Sequence, residues 1–188
     1  MLRDEVHKAF EVVKQGGIIL YPTDTIWGIG CDATNTEAIQ RIFELKQRPQ
    51  EKSMIILLDA DHKLESYVAE VSSIAYDLIE FAENPLTLVM PGAKNVSPSL
   101  INADGSIAVR VSKHPFCQQL IQRMRKPLVS TSANISGQPS PQNFSQISAE
   151  VIEGVDYVVN VDQHDLTAKK PSTIMRINPD GLFEFIRR

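Results

Sequence analysis

The chain has 188 residues, of which 43% are hydrophobic and 22% charged, which suits one soluble domain that buries a core without metal or disulfide support. Its net charge of −4 excludes a general attraction to nucleic acid or anionic membrane and leaves only local basic patches for such partners. Cys31 and Cys117, the 2 cysteines, lie too far apart in sequence for a CxxC site and read as small buried apolar residues. Met1–Glu5 carries acids instead of a basic leader, and no apolar run reaches the ~18 residues of a membrane span, so a cytoplasmic location is expected.

Val6, Ala9, Phe10 and Val13 recur at helical spacing, and Gly16-Gly17 marks the stop. Ile18–Tyr21 reads as a buried strand leaving at Pro22. Thr36–Leu45 reads as a second helix, with Thr34 and Glu37 as its capping box. The continuous apolar run Ser53–Leu58 predicts a strand covered on both faces. Val71–Ala82 and Pro115–Met124 read as helices, and Leu86–Met90, Ile107–Val111 and Leu128–Val129 as strands. A polar loop follows Ser130. Val155–Val161, Ser172–Ile177 and Leu182–Ile186 then read as closing strands, with Pro179-Asp180-Gly181 as a hairpin turn. Strands alternating with helices before a β-rich end predict one α/β domain over 1–188, with a twisted mixed β-sheet flanked by helices.

Polar residues gather where these strands end, the usual place for ligands in open α/β sheets. Pro22-Thr23-Asp24-Thr25 is either a self-satisfied turn or part of a site. Lys46-Gln47-Arg48-Pro49 either complements a helix terminus or, if extended from Lys46, presents two cations on one face to a phosphate or carboxylate. Both cations are expected at an exposed helix end. Ser130 through Gly137 packs hydroxyls and an amide after a short strand, as a capped turn or as donors for a small polar ligand. Extended spacing would aim Ser132 and Asn134 the same way. Gly28-Ile29-Gly30-Cys31-Asp32-Ala33 fits the dinucleotide fingerprint, but Pro22–Trp27 separates it from the preceding strand, which argues against that reading. The 4 histidines, His7, His62, His114 and His164, are scattered and suggest neither metal site nor triad.

In order and spacing these segments resemble the threonylcarbamoyl-AMP synthase (YrdC-like) family. Tyr21 through Cys31 is similar to its YPTDTxYGLxC motif, and Lys46-Gln47-Arg48-Pro49 to KxRP. Val109 through Pro115 is similar to VRVPxHP, and Ser130 through Pro141 to STSANxSGxPSP. Pro171-Ser172-Thr173-Ile174 and Phe185-Ile186-Arg187 match the closing segments of the short family form, which lacks a further C-terminal domain. The chain departs from the pattern at Trp27, Leu57, Ser112, the segment Glu83-Asn84-Pro85 and Met175-Arg176.

The resemblance implies a YrdC-like fold with an open basic cavity at the strand ends. It implies a nucleotidyltransferase that joins L-threonine, bicarbonate and ATP, with Mg2+ carried by the phosphates and no dedicated protein ligands. The product would pass to a tRNA threonylcarbamoyl-transfer complex. It assigns the catalytic set to Lys46, Arg48, Ser132 and Asn134. It puts Arg48, Lys52, Ser106, Ser132, Ser140 and Arg187 at ATP, and Thr25, Arg110, Ser130 and Ser172 at threonine. The alternatives are a paralogue acting as an RNA-binding module, in which RNA binding would replace this activity, and a carbamoyl-transfer domain of a larger enzyme.

Overall fold

The computed structural model describes residues 1–49, 54–178 and 180–188. Five helices and nine strands alternate along these residues: α1 (Leu2–Lys14), β1 (Ile19–Tyr21), β2 (Gly28–Gly30), α2 (Thr36–Leu45), β3 (Ile55–Leu58), α3 (Ser73–Phe81), β4 (Leu86–Met90), β5 (Ile107–Val111), α4 (Pro115–Met124), β6 (Leu128–Ser132), α5 (Ala149–Gly154), β7 (Tyr157–Val158), β8 (Thr173–Ile177) and β9 (Phe183–Arg187). All strands join one sheet in the order β7-β1-β2-β6-β3-β5-β4-β8-β9. The sheet is mixed: β1/β7, β3/β5 and β4/β8 run parallel, and the other neighbours antiparallel. No helix among the described residues is long and apolar enough to cross a membrane.

Alternation along the strands divides the core between two faces. Ile18, Leu20, Ile56, Leu58 and Val109 pack toward α2 and α3, while Ile19, Tyr21, Leu57 and Leu128 pack beneath α1 and α4. Apolar runs such as Ile18–Tyr21 are therefore buried on both sides. On the second face, Leu57 pairs with Arg110, Ala108 with Val89, and Val89 with Arg176. Opposite residues share a face, so this row continues the surface under α1 and α4 into a region those helices do not reach. There Ala108, Val89 and Arg110 line an open cavity of about 610 Å³.

Strand β2 is not foreshadowed in the sequence, because Gly-Ile-Gly carries no alternating pattern. Its glycines allow close approach within the sheet. A Cβ at Gly30 would overlap the Val129 carbonyl oxygen and come within 2.9 Å of the Tyr21 ring. Tyr21 lies across this pair and donates its hydroxyl to the Val129 carbonyl at 2.8 Å. The discounted dinucleotide fingerprint is thus a strand, with no phosphate-binding turn.

Other expectations shift. Asn35, not Thr34, caps α2: its Oδ1 accepts from the Ala38 N–H at 3.0 Å, while the Thr34 hydroxyl donates to Asp32. The expected strand Val155–Val161 shortens to Tyr157–Val158, because carboxylates replace strand partners at both ends. Asp156 accepts from the Ile18 N–H at 2.7 Å, and Glu5 from the Asn160 N–H at 2.8 Å and the Tyr157 hydroxyl at 2.6 Å. Strand β6 runs on to Ser132, three residues past its expected end at Val129. Ser53 and Pro179, expected in a strand and a turn, lie outside the described residues. Gly181, at φ +84, turns the chain into β9.

Close packing at Gly30 predicts that Gly30→Ala lowers stability by about 2 kcal/mol or more through overpacking. Tyr21→Phe, which leaves the Val129 carbonyl unpaired, should cost about 1–2 kcal/mol. Urea unfolding of both variants checks this, and unchanged midpoints would contradict the packing account.

Candidate active site

Helix α2 ends in a reversal, where the sequence suggested an extended segment. Gln47 adopts φ +48, its N–H donates to the Glu44 carbonyl at 3.0 Å, and the Arg48 N–H donates to the Phe43 carbonyl at 2.9 Å. This is the paired bonding of a Schellman cap, with glutamine where glycine is usual. The reversal sends Lys46 inward and Arg48 toward the cavity, correcting the expectation that both sit at an exposed helix end.

Lys46 is 1% exposed. Its ammonium donates to the Ser132 and Asn134 carbonyls, both at 2.5 Å, and its own carbonyl accepts from the Ser136 N–H at 2.8 Å. One residue thus holds the segment 132–136 at three points. No carboxylate pairs with this charge among the described residues. Burial, with Arg48 nearby, lowers its pKa from 10.5 to about 7.

The residues expected at threonine stand together. Thr25, Arg110, Ser130 and Ser172 all line the cavity. Arg110 is buried, with Nη2 at 3.5 Å from the Thr23 hydroxyl and 3.6 Å from Asp24, while Nε has no partner among the described residues. Thr23 is fully committed: its hydroxyl donates to the Ile26 carbonyl and accepts from the Thr25 N–H. That network satisfies the Pro22–Thr25 turn internally, as the first reading of it expects, and Thr25 also lines the cavity beside Arg110. The Ser172 hydroxyl shares a 2.8 Å bond with Thr87, and the Ser172 carbonyl accepts from Arg187 Nε and Nη2 at 3.1 and 2.8 Å.

Of the residues expected at ATP, Arg48, Ser132, Ser140 and Arg187 line the cavity. Ser106 does not. It is buried, donates to Asp104 at 2.6 Å and accepts from Asn102 at 2.9 Å, which ties the turn ahead of β5. Lys52 lies outside the described residues. Burial lowers the pKa of Arg48, and burial together with the charge of Arg110 lowers that of Arg187.

The catalytic set divides in two. Arg48 and Ser132 lie on the cavity wall, whereas Lys46 and Asn134 stand behind it. Asn134 does not share the direction of Ser132, because the strand ends at Ser132 and the chain turns. Its amide donates to the Ile135 and Gln138 carbonyls at 3.1 and 2.6 Å, and its buried Oδ1 has no partner among the described residues.

The motifs missed part of the wall. Asp104 and Arg176 line the cavity and pair at 2.7 Å. Asp104 is held well below the usual carboxylate range by the Ser106 hydroxyl, with Arg176 next. Trp27, which the Tyr21–Cys31 motif does contain, lines the cavity as well and packs on Phe144, ring centroids 4.8 Å apart. The available signal for Arg176 was its alternation with Ile174 on a strand already expected at the site. Among the described residues four arginines, Arg48, Arg110, Arg176 and Arg187, and one carboxylate, Asp104, line the cavity, which makes it positive in an acidic chain. A second cavity of about 800 Å³ is lined by Lys94 together with Glu65 and Glu70 and has no such bias.

Lys46 predicts a pH effect on stability. Between the folded value near 7 and the ordinary 10.5, the unfolded chain binds more protons, so stability rises with pH across that window. The Lys46 contribution is complete above 10.5 and is lost as pH falls through 7. Urea unfolding of wild type and Lys46→Met should therefore diverge in favour of wild type from neutral to alkaline pH. A difference independent of pH would show an ammonium with an ordinary pKa.

A family model described as telomere recombination (Sua5_yciO_yrdC) matches residues 11–188. The threonylcarbamoyl-AMP synthase of Pseudoalteromonas translucida is 38% identical over 169 residues, covering 88% of this chain and 89% of its own. That of Photobacterium profundum is 35% identical over 159 residues, covering 83% and 86%. Escherichia coli YciO superposes with a TM-score of 0.86 at 25% identity, over 100% of this chain and 90% of its own. P. abyssi Sua5 complexed with L-threonine gives a TM-score of 0.80 at 28% identity, over 92% of this chain. This chain spans only about half of that Sua5 chain, at 50%. A match over residues 11–188, nearly the whole length, makes the chain a member of the Sua5/YciO/YrdC family.

Proposed function

We propose that the chain is an L-threonylcarbamoyladenylate synthase, converting L-threonine, bicarbonate and ATP to threonylcarbamoyl-AMP and pyrophosphate. The observation that carries this reading is one cavity that holds two kinds of group. The buried Arg110 and the hydroxyls of Thr25, Ser130 and Ser172 suit a small hydroxylated amino acid. Arg48 and Arg187, with the hydroxyls of Ser132 and Ser140, line the same cavity and suit a polyphosphate. Relatives bearing the synthase name extend over nearly all of the chain.

In this reading Arg110 pairs with the threonine carboxylate, its unpartnered Nε supplying a donor. The threonine amine takes up bicarbonate carbon to form a carbamate with loss of water. A carbamate oxygen then attacks the α-phosphorus, and pyrophosphate leaves. Such a transfer needs alignment and charge neutralisation, with no covalent nucleophile. Arg48 and the Ser132 hydroxyl would neutralise and hold phosphate oxygens, while Lys46 and Asn134 would fix the segment that carries Ser132.

Magnesium enters with the triphosphate as part of the substrate. In this reading phosphate oxygens and water supply most of its ligands, as is usual for Mg2+ carried by a triphosphate. The product is a mixed anhydride suited to transfer onto tRNA by a partner complex, and dependence on ATP fits a cytoplasmic setting.

Pyrophosphate release from ATP should require both threonine and bicarbonate, and release independent of threonine would exclude the synthase reading. An RNA-binding module would release none. Arg110→Ala should raise the threonine KM far more than the ATP KM, since losing one side of a buried charge pair costs about 2–5 kcal/mol. A collapse of ATP binding with threonine dependence intact would reverse the assignment.

A further inference from the structure

We propose that Arg176, which lies outside every motif marking the site, grips the polyphosphate of the nucleotide together with Arg187; this deepens the ATP reading above and rests on it. The sheet register supplies the geometry. Val89 pairs with both Ala108 and Arg176, and Arg176 pairs with Glu184, so these four form one row across β5, β4, β8 and β9. Val89 and Ala108 are the cavity floor, and Arg176 shares their face and lines the same cavity. Arg187 pairs with Ile174, two residues back along β8. The two arginines therefore stand on adjacent strands of one cavity wall, on either side of the register shift between Ile174 and Met175. Together they offer more donors than one phosphate group uses, which suits a chain of phosphoryl groups.

Arg176 is aimed by a fixed carboxylate. Asp104 Oδ1 accepts from the Ser106 hydroxyl and N–H at 2.6 and 3.0 Å, which locks the side chain in place. Its Oδ2 accepts from Arg176 Nη1 at 2.7 Å and so ties the guanidinium to the cavity wall. Glu184 stands on the other side, 3.9 Å from Nε. Nη2 makes no hydrogen bond among the described residues, and the side chain is 32% exposed. Arg187 spends two donors on the Ser172 carbonyl and meets no carboxylate among the described residues. Two planar forks, one uncompensated and one partly so, thus face the same open space, a match for phosphate oxygens. The Asp104 pair itself is too exposed to add much to stability.

Calorimetric titration with inorganic tripolyphosphate, ATP and AMP tests this on wild type, Arg176→Ala, Arg176→Gln and Glu184→Gln. Both Arg176 variants should bind tripolyphosphate and ATP about tenfold more weakly, with AMP nearly unchanged, as expected for losing charge-assisted hydrogen bonds. Arg176→Gln keeps a donor for Asp104, so it serves if Arg176→Ala fails to fold. Glu184→Gln removes the competing carboxylate and should tighten tripolyphosphate binding, a reversal of sign that a purely structural role would not give. Equal tripolyphosphate affinity in wild type and the Arg176 variants overturns the proposal. So does AMP weakened as much as ATP, or no tripolyphosphate binding by wild type. If threonine-dependent pyrophosphate release fails while tripolyphosphate binding still depends on Arg176, the synthase reading falls and this one stands.

Discussion

The ammonium of Lys46, buried against the ends of two main-chain segments, fixes the rest of the site. A charge taken from water is costly unless its donors find acceptors. Here the acceptors are backbone carbonyls of Ser132 and Asn134, and the Lys46 carbonyl takes the Ser136 N–H in return. Carbonyls in this role stop the segment after β6 from relaxing into another turn, because any other path would strand the ammonium. Arg48 lies two residues beyond Lys46, on the far side of the reversal at Gln47. The position of a cavity cation relative to Ser132 is therefore set by one buried contact between helix end and strand end.

The sheet beneath makes this contact possible. Gly28 and Gly30 let β2 approach β6 closely, and the Tyr21 ring fills the space that side chains would have taken. Ser130 and Ser132 consequently rise beside Gly28, with the Ser130 hydroxyl 3.0 Å from where a Cβ would stand. A bulkier strand would push those hydroxyls away from Thr25. The Ala133 N–H is bound in turn by the Trp27 carbonyl at 3.1 Å, so the two strands stay joined up to the rim.

Charge is partitioned with similar economy. The chain as a whole is acidic, at −4, yet four of its nine arginines, Arg48, Arg110, Arg176 and Arg187, line one cavity. Their positive charges would repel one another in a closed core, and an open cavity lets water and anions relieve that repulsion. Acidic residues do other work. Glu5 and Asp156 hold the short edge strand β7 in place, and Asp104 is occupied by Ser106 and Arg176.

The periodicity of the chain by itself determined most elements. Thr36–Leu45, Leu86–Met90, Ile107–Val111 and Pro115–Met124 follow from local spacing, because side-chain direction along a helix or strand repeats within a few residues. The ordered motifs likewise marked the segments that line the cavity, since strand-end polar clusters are local features. Strand β2 escaped, because its glycines are explained by Tyr21 and Val129 and not by their neighbours in sequence. Only the tertiary structure decided that Lys46 points inward and that Asn134 caps a turn behind the wall. It alone decided that Ser106 serves its own loop and that Arg176 joins the cavity. Each of those outcomes depends on where a distant partner lies, and the Lys46 contact spans 86 residues. A hydrogen-bond acceptor brought in from that distance leaves no trace in the local pattern, and neither does a sheet face left uncovered by a helix pair.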